Sequence, residues 1–143
     1  MKATLLLCDS VQAVGGKLYI LGGGWSIAGP APITMGLAVK IEVPWNQANQ
    51  RHKLKIELVD DDGQPVALPA PEGKKPIVIE ADFEVGRPPG LTPGTPLDSV
   101  LAINMQSLPI PPARRYEWRM SIDGHPDEAW RVSFTTRSQP ASA

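Results

Sequence analysis

The sequence predicts an all-β protein in which two antiparallel sheets pack face to face as an immunoglobulin-like sandwich. Three observations carry this prediction: apolar and polar residues alternate in several segments, turn signals recur at short intervals, and helical periodicity never exceeds one turn. Short alternating strands joined by Gly- and Pro-rich turns are typical of sandwiches and barrels. A closed β-barrel is the alternative that the same pattern leaves open.

The alternation is clearest near the C-terminus, where apolar residues take every second position at 116–122 and again at 130–136. Side chains two apart lie on one face of a strand, so both runs predict half-buried strands. Residues 123–127 between them are typical of a turn. We therefore predict a hairpin whose inner face places Trp118 and Trp130 in the core.

The remaining elements follow from the same two signals. Predicted strands, in order, are 3–9, 17–21, 37–43, 54–58, 66–68, 77–85 and 97–108. Segments 69–76 and 86–96 are predicted loops, and 46–51 is predicted to hold one helical turn with Asn46 as its N-cap. The run before Tyr116 resembles the start of a late strand in immunoglobulin-like sandwiches, which implies that its hydroxyl bonds back to the preceding turn.

Length and charge limit the class of protein. The 143 residues predict one domain at 1–137 and a flexible polar tail at 138–143. A net charge of −1 gives no general attraction to nucleic acid or to an anionic membrane, and we expect neither as a partner. Cys8 is the single cysteine, which excludes an intramolecular disulfide and favours a cytoplasmic location.

Three short motifs resemble catalytic or metal-binding motifs of other proteins, but the residues around them do not meet the requirements of those sites. Ser26 lies in a near match to Gly-x-Ser-x-Gly, but prolines follow where a helix is needed. The Asp60–Asp62 run indicates a hairpin turn and not a calcium loop, because Leu58 and Pro69 stand where the first and twelfth ligands belong. His52 and His125 have no Cys or His at metal-ligand spacing, and we expect both to be solvated loop residues. We therefore predict no catalytic residue, no metal and no cofactor.

Three carboxylates form a ladder on one predicted strand face, at Glu80, Asp82 and Glu84. Side chains two apart lie about 6.6 Å from each other, so these charges repel unless they are paired. Lys53 and Lys55 on the outer face of a nearby strand are the expected cross-strand partners. Contact with a basic partner is the alternative.

The four tryptophans divide into two pairs. Trp118 and Trp130 are predicted to be core residues, whereas Trp25 and Trp45 lie beside Gly and Pro at strand ends. Exposed aromatic rings at such positions can stack on a ligand. Trp25 and Trp45 are therefore the candidate residues for a small-ligand or carbohydrate site.

The strands 3–9 and 17–21 are apolar on both faces. A sandwich buries one face of each strand, so the second face needs a covering loop or a partner. The candidate interface residues are Leu6, Cys8, Tyr19 and Leu21. We expect a homodimer, or another protein partner, at this surface.

Several runs together resemble an uncharacterised bacterial family of small single-domain β proteins. The runs are 16–25, 40–45, 84–97 and 116–124. The resemblance implies a single-domain cytoplasmic protein and brings no activity with it. We expect a non-enzymatic interaction or structural module, with a small-ligand or carbohydrate-binding module and an enzyme of unrecognised site as alternatives.

Overall fold

The structure consists almost wholly of strands and turns. The computed structural model describes residues 1–140, which form eleven β-strands and one short 3₁₀ helix, Trp45–Gln47. The strands are β1 (Lys2–Val14), β2 (Lys17–Gly23), β3 (Ile27–Ala28), β4 (Ile33–Val43), β5 (His52–Asp60), β6 (Ala67–Ala70), β7 (Gly73–Pro76), β8 (Val78–Phe83), β9 (Leu97–Leu108), β10 (Arg115–Ile122) and β11 (His125–Thr136). The predicted all-β class is confirmed.

The strands of the described residues form three sheets. Sheet A has the order β2-β1-β4-β9, sheet B has the order β3-β11-β10-β5-β8, and β6 pairs with β7. Strand pairs are antiparallel except β3, which runs parallel to β11 and departs from the predicted wholly antiparallel arrangement. Its direction follows from the crossover that brings the chain from β2 in sheet A to the edge of sheet B. Within residues 1–140 none of the sheets closes into a barrel, so the barrel alternative is wrong for this part of the chain.

Side chains from both large sheets meet in one hydrophobic cluster. From the middle of sheet A, β4 contributes Leu37, Val39 and Ile41, each no more than 1% exposed. From sheet B, β5 contributes Ile56 and β10 contributes Trp118, both 0% exposed. The alternating pattern of these strands therefore places every second residue in a shared core.

The C-terminal hairpin β10–β11 has the predicted inner face. Tyr116, Trp118 and Phe134 are buried, and Trp130 is 7% exposed. Both predicted core tryptophans are thus confirmed. The rings of Tyr116 and Phe134 stack with their centroids 5.5 Å apart, which extends this face across the two strands.

The turn of this hairpin is shorter than predicted. Ile122 pairs with His125, and Asp123 and Gly124 between them have φ values of 52° and 80°. Such left-handed pairs make the two-residue turns that match strand twist. His125 and Pro126 of the predicted turn instead pair with β10, and a bulge at residues 127–130 separates the Ser121–Pro126 pair from the Arg119–Arg131 pair.

The hydrogen bond expected from the Tyr116 hydroxyl to the preceding turn is present. The hydroxyl donates this bond to the carbonyl oxygen of Pro111 at 2.7 Å. Buried Thr136 holds the same turn, since its hydroxyl oxygen accepts a bond from the Arg114 amide at 3.0 Å. The turn before β10 is therefore fixed by two side chains of sheet B.

Two segments differ from the prediction. Most of the predicted loop 69–76 belongs to the hairpin β6–β7, in which Pro69 lies opposite Lys74. Prolines fit a two-stranded sheet because both of its strands are edges. The helical turn lies at Trp45–Gln47, and Pro44 rather than Asn46 occupies its N-cap position without a side-chain cap.

The C-terminal segment leaves sheet B after β11. Gln139 Nε2 donates a hydrogen bond to the carbonyl oxygen of Ala31 at 3.1 Å. The last part of the predicted tail, residues 141–143, lies outside the described residues. In residues 1–140 no helix combines the length and apolar character needed to cross a membrane.

Candidate functional site

The hairpin formed by β1 and β2 folds over the outer face of sheet A. β1 pairs with β4 as far as Cys8, which lies opposite Gly36. Beyond that point β1 pairs with β2 alone, and the chain crosses above Gly36 towards β9. There the side chain of Asn104 in β9 binds the backbone of Val11. Its Oδ1 accepts a hydrogen bond from the Val11 amide at 3.0 Å, and its Nδ2 donates one to the Val11 carbonyl at 2.8 Å.

The crossing depends on the glycine beneath it. A Cβ atom at Gly36 would lie 2.8 Å from Cys8 Sγ and 3.2 Å from Asn104 Oδ1. Real Cβ atoms do not approach other atoms so closely, so a side chain here would push the hairpin off the sheet. Glycine at 36 therefore permits the close backbone approach.

A small second hydrophobic cluster fills the space between the hairpin and sheet A. Cys8, Val11 and Ala38 are buried in it, and Leu18 packs against it. Burial, followed by the nearby Asp9 carboxylate, raises the pKa of the Cys8 thiol. Cys8 is thus covered by its own chain, unlike the other predicted interface residues.

The hairpin carries exposed apolar side chains on both of its faces. Of the seven exposed large hydrophobic residues in the described chain, five belong to β1 or β2. We call these five the hairpin surface: Leu6 (36% exposed), Val14 (57%), Tyr19 (55%), Ile20 (38%) and Leu21 (69%). Three of the four residues predicted for an interface are therefore exposed on this hairpin, with Tyr19 and Leu21 on one face and Leu6 beside Ile20 on the other.

Trp25 and Trp45 do not form one platform. Both are half-buried and pack against the core. Trp25 lines a cleft with Ile33 at the start of β4, whereas Trp45 follows the end of β4, roughly 30 Å away along the strand. They cannot stack on one small ligand.

One face of each of these rings is already in contact with protein. The Trp25 ring packs edge-to-face against Phe134, with centroids 6.5 Å apart. The Arg87 guanidinium lies 4.7 Å from the Trp45 ring centroid, and its Nη2 donates to the Trp45 carbonyl at 2.6 Å. Trp45 also lines an open cleft of about 680 Å³.

The carboxylate ladder faces the lysines that the sequence indicated. In the backbone register of β5 and β8, Lys53 lies opposite Asp82 and Lys55 lies opposite Glu80, and all four side chains are exposed. Glu84 lies just beyond the end of β8. The lysines and carboxylates line a shallow cleft of about 550 Å³, so positive side chains on β5 face negative side chains on β8 at this edge of sheet B.

His52 is not a solvated loop residue, and that prediction is wrong. It begins β5 and is only 3% exposed. Its Nδ1 lies 2.7 Å from Asp123 Oδ2, and its Nε2 lies 2.9 Å from the Gln47 carbonyl oxygen. The ring also stacks on Phe83, with centroids 5.2 Å apart.

Both partners of His52 are acceptors, so the two bonds require a proton on each ring nitrogen. Burial lowers the pKa of His52, but the bonds to Gln47 and Asp123 outweigh it, and the net pKa is raised. The pKa of Asp123 is lowered, first by the bond from His52 and then by the bond from the Lys53 amide. His125 is exposed as expected, but it begins β11 opposite Ile122 and is not the loop residue that the sequence predicts.

The Asp60–Asp62 segment is a turn, as predicted. Asp60 Oδ1 accepts bonds from the amides of Asp62 and Gln64, both at 3.0 Å. The carboxylates of Asp60, Asp61 and Asp62 lie within 4.8 Å of one another. An Arg114 guanidinium nitrogen lies 3.5 Å from Asp60 and 3.6 Å from Asp61, so the negative charge has a partner within the protein.

Comparison with known proteins gives one match. A model described as a family of unknown function (DUF6941) matches residues 3–135. No curated protein and no solved structure matches the chain. The matched region includes every strand of both large sheets except the first residue of β1 and the last residue of β11.

Proposed function

We propose that this chain, which belongs to the family of unknown function DUF6941, is a non-enzymatic interaction module that forms a homodimer. The observation that carries the proposal is the hairpin surface, because five of the seven exposed large hydrophobic residues of the described chain belong to this one hairpin. Clustered apolar side chains on a protein surface mark sites of association. A two-fold dimer would bury two identical copies of this surface against each other.

The hairpin is suited to this role because it is held in place before any partner binds. The two Asn104 bonds fix Val11, and the buried Cys8 cluster packs beneath. A surface that is already ordered loses less conformational entropy on association. The apolar side chains are thus presented on a fixed element.

We infer that sheets A and B face each other as an immunoglobulin-like sandwich. Support comes from the shared cluster, to which β4 and β10 both contribute fully buried side chains. The bond from Tyr116 to Pro111 adds support, because a tyrosine that ties back to the preceding turn is typical of such sandwiches. This architecture leaves the hairpin on the outside.

A small-ligand site beside Trp45 is a second proposal, favoured by the 680 Å³ cleft there. Arg87 already occupies one ring face, and Trp25 lies at the other end of β4, so a carbohydrate platform made of both rings is not supported.

Glu80, Asp82 and Glu84 offer a contact for a basic partner. Their opposing lysines make this the weaker use of that face.

We propose no catalytic role for His52 and Asp123, although the pair has the composition of a general base. The histidine ring is 3% exposed and both of its nitrogens are engaged. A substrate therefore has no access to a free ring nitrogen.

We also propose a reducing, cytoplasmic location, since the single cysteine is a free buried thiol.

The dimer is tested by light scattering across a wide range of protein concentration. We expect wild type to show twice the 15.4 kDa chain mass at micromolar concentration, and Leu21→Glu to shift the protein to monomer. Leu21 is 69% exposed, so the glutamate should not disturb folding. Leu91→Glu is the matched control, because Leu91 is also exposed (40%) but lies outside the hairpin.

A wild-type mass near 15.4 kDa at every concentration would contradict the proposed dimer. Equal effects of Leu21→Glu and Leu91→Glu would instead show that the hairpin surface is not the interface.

A further inference from the structure

We propose that the two copies join through the free edge of β2, which pairs with the β2 of the second copy in antiparallel register about a two-fold axis at Ile20. Sheet A, with four strands in each copy, then becomes one continuous sheet across the dimer. This inference rests on the proposed homodimer and specifies how its interface is built.

The edge of β2 lacks the features that normally prevent strand pairing. Natural edge strands are short, charged, covered or interrupted by proline. At the other edges, β3 has only two residues, β8 carries Glu80 and Asp82, and the central residues 100–103 of β9 are half-buried. β2 differs, because Tyr19, Ile20 and Leu21 are all exposed and Lys17 is its single charge.

The turn of the hairpin determines which backbone groups face outward. Gly15 and Gly16 have φ values of 59° and 75°, and Val14 pairs with Lys17 around them. The residues that flank a two-residue turn exchange hydrogen bonds, and bonded and non-bonded pairs then alternate along the ladder. Tyr19 and Leu21 therefore bond towards β1, while the amide and carbonyl of Ile20 point to the free edge.

The side chains of β2 are complementary to themselves in this register. With Ile20 opposite Ile20 of the second copy, Tyr19 lies opposite Leu21 twice. An aromatic ring beside an aliphatic side chain is a favourable cross-strand pair. Lys17 falls opposite Gly23, so the only charge in the strand does not meet its own copy.

Disulfide cross-linking tests the register directly. Opposed residues in a non-hydrogen-bonded pair have Cα atoms about 4.5 Å apart, within the range that a disulfide spans. We expect a mixture of Tyr19→Cys and Leu21→Cys proteins to form a linked dimer on mild oxidation, while each variant alone forms none. Wild type is the control, because Cys8 is buried.

A proline variant tests the edge itself. Ile20→Pro removes an amide that faces solvent in the monomer but donates across the interface in the dimer, and proline is tolerated at such edge positions. We expect its dimer dissociation constant to rise at least about tenfold above that of Ile20→Val, from the loss of two hydrogen bonds. Circular dichroism checks that the variant is folded, and if it is not, the cross-linking result decides.

The outcomes separate the two proposals. A monomeric wild type overturns the homodimer and the edge pairing together. A dimer that Leu21→Glu disrupts, but that tolerates Ile20→Pro and gives no link between positions 19 and 21, overturns the edge pairing alone. Linkage of Leu21→Cys to itself overturns the register with Ile20 on the axis.

Discussion

His52 shows how one buried residue can be held in its charged form. Its ring lies between a carboxylate and a backbone carbonyl, at 2.7 Å and 2.9 Å. Neither partner can donate, so only the protonated ring satisfies both. The charge is compensated by Asp123, which also accepts a bond from the Lys53 amide and thereby joins the start of β5 to the β10–β11 turn.

Stability should consequently fall as pH rises through the neutral range. The folded-state pKa of His52 is raised above its ordinary value of 6.5, so the folded protein binds this proton more tightly than the unfolded chain. The resulting stabilisation is complete below pH 6.5 and is lost as pH rises through the folded-state pKa. Urea unfolding measured from pH 5.5 to 8.5, about one unit below to two units above that value, should show this decline.

Asp123→Asn provides the control for this decline. The amide cannot compensate the imidazolium charge, so the variant should be less stable than wild type at pH 6 and should lose less stability between pH 6 and 8. Equal slopes for the two proteins would show that His52 and Asp123 are not the titrating pair. At acid pH the wild type should also weaken, because the pKa of Asp123 is lowered and its stabilisation disappears as the carboxylate is protonated.

At the scale of the element, a single hydroxyl anchors the turn that begins β10. Tyr116→Phe removes the 2.7 Å bond to Pro111 and leaves the ring in the core. The expected cost is about 1 kcal/mol of unfolding free energy. Urea denaturation of the variant and of wild type, at one protein concentration, measures the difference. Equal midpoints would show that the hydrogen bond from Tyr116 to Pro111 contributes nothing to stability.

Elements that depend on local pattern could be predicted from the sequence. Alternation identified the faces of β10 and β11, and the Asp60–Asp62 run identified the turn after β5. The same reasoning predicts that Lys53 and Lys55 lie beside the carboxylates of β8, and the register of β5 and β8 agrees. In each case the signal lies within a few residues of the feature that it predicts.

Features that depend on distant contacts could not be predicted in this way. His52 owes its burial to Asp123, 71 residues away, and its isolated position in the sequence indicates only a polar residue. Cys8 is covered by the hairpin, which is held over sheet A by the hydrogen bond between Val11 and Asn104, two residues that lie 93 positions apart in the sequence. The need for glycine at position 36 could not be predicted either, because it arises from the close approach of β1 and β9 above this residue. The apolar second face of β1 was recognised, but the partial cover supplied by its own chain was not.

At the scale of the whole molecule, the shared core should make sheets A and B unfold together. Ile41 in sheet A and Ile56 in sheet B are both essentially inaccessible to solvent and belong to the same cluster. Small single domains unfold in one cooperative transition. A loss of packing in either sheet should therefore lower the stability of the other by the same amount.

Two matched variants test this cooperativity. Ile41→Val and Ile56→Val each remove one buried methylene, at an expected cost of about 1 kcal/mol. In a background where Trp25 and Trp45 are replaced by Phe, the remaining tryptophans, Trp118 and Trp130, lie in sheet B. Tryptophan fluorescence then follows that sheet, whereas far-UV circular dichroism follows all strands. Both variants should shift the urea midpoint equally in both signals, measured at one protein concentration because dimer formation adds stability. A fluorescence midpoint that moves for Ile56→Val but not for Ile41→Val would show that the two sheets are separate folding units, and the single-domain prediction for residues 1–137 would then be wrong.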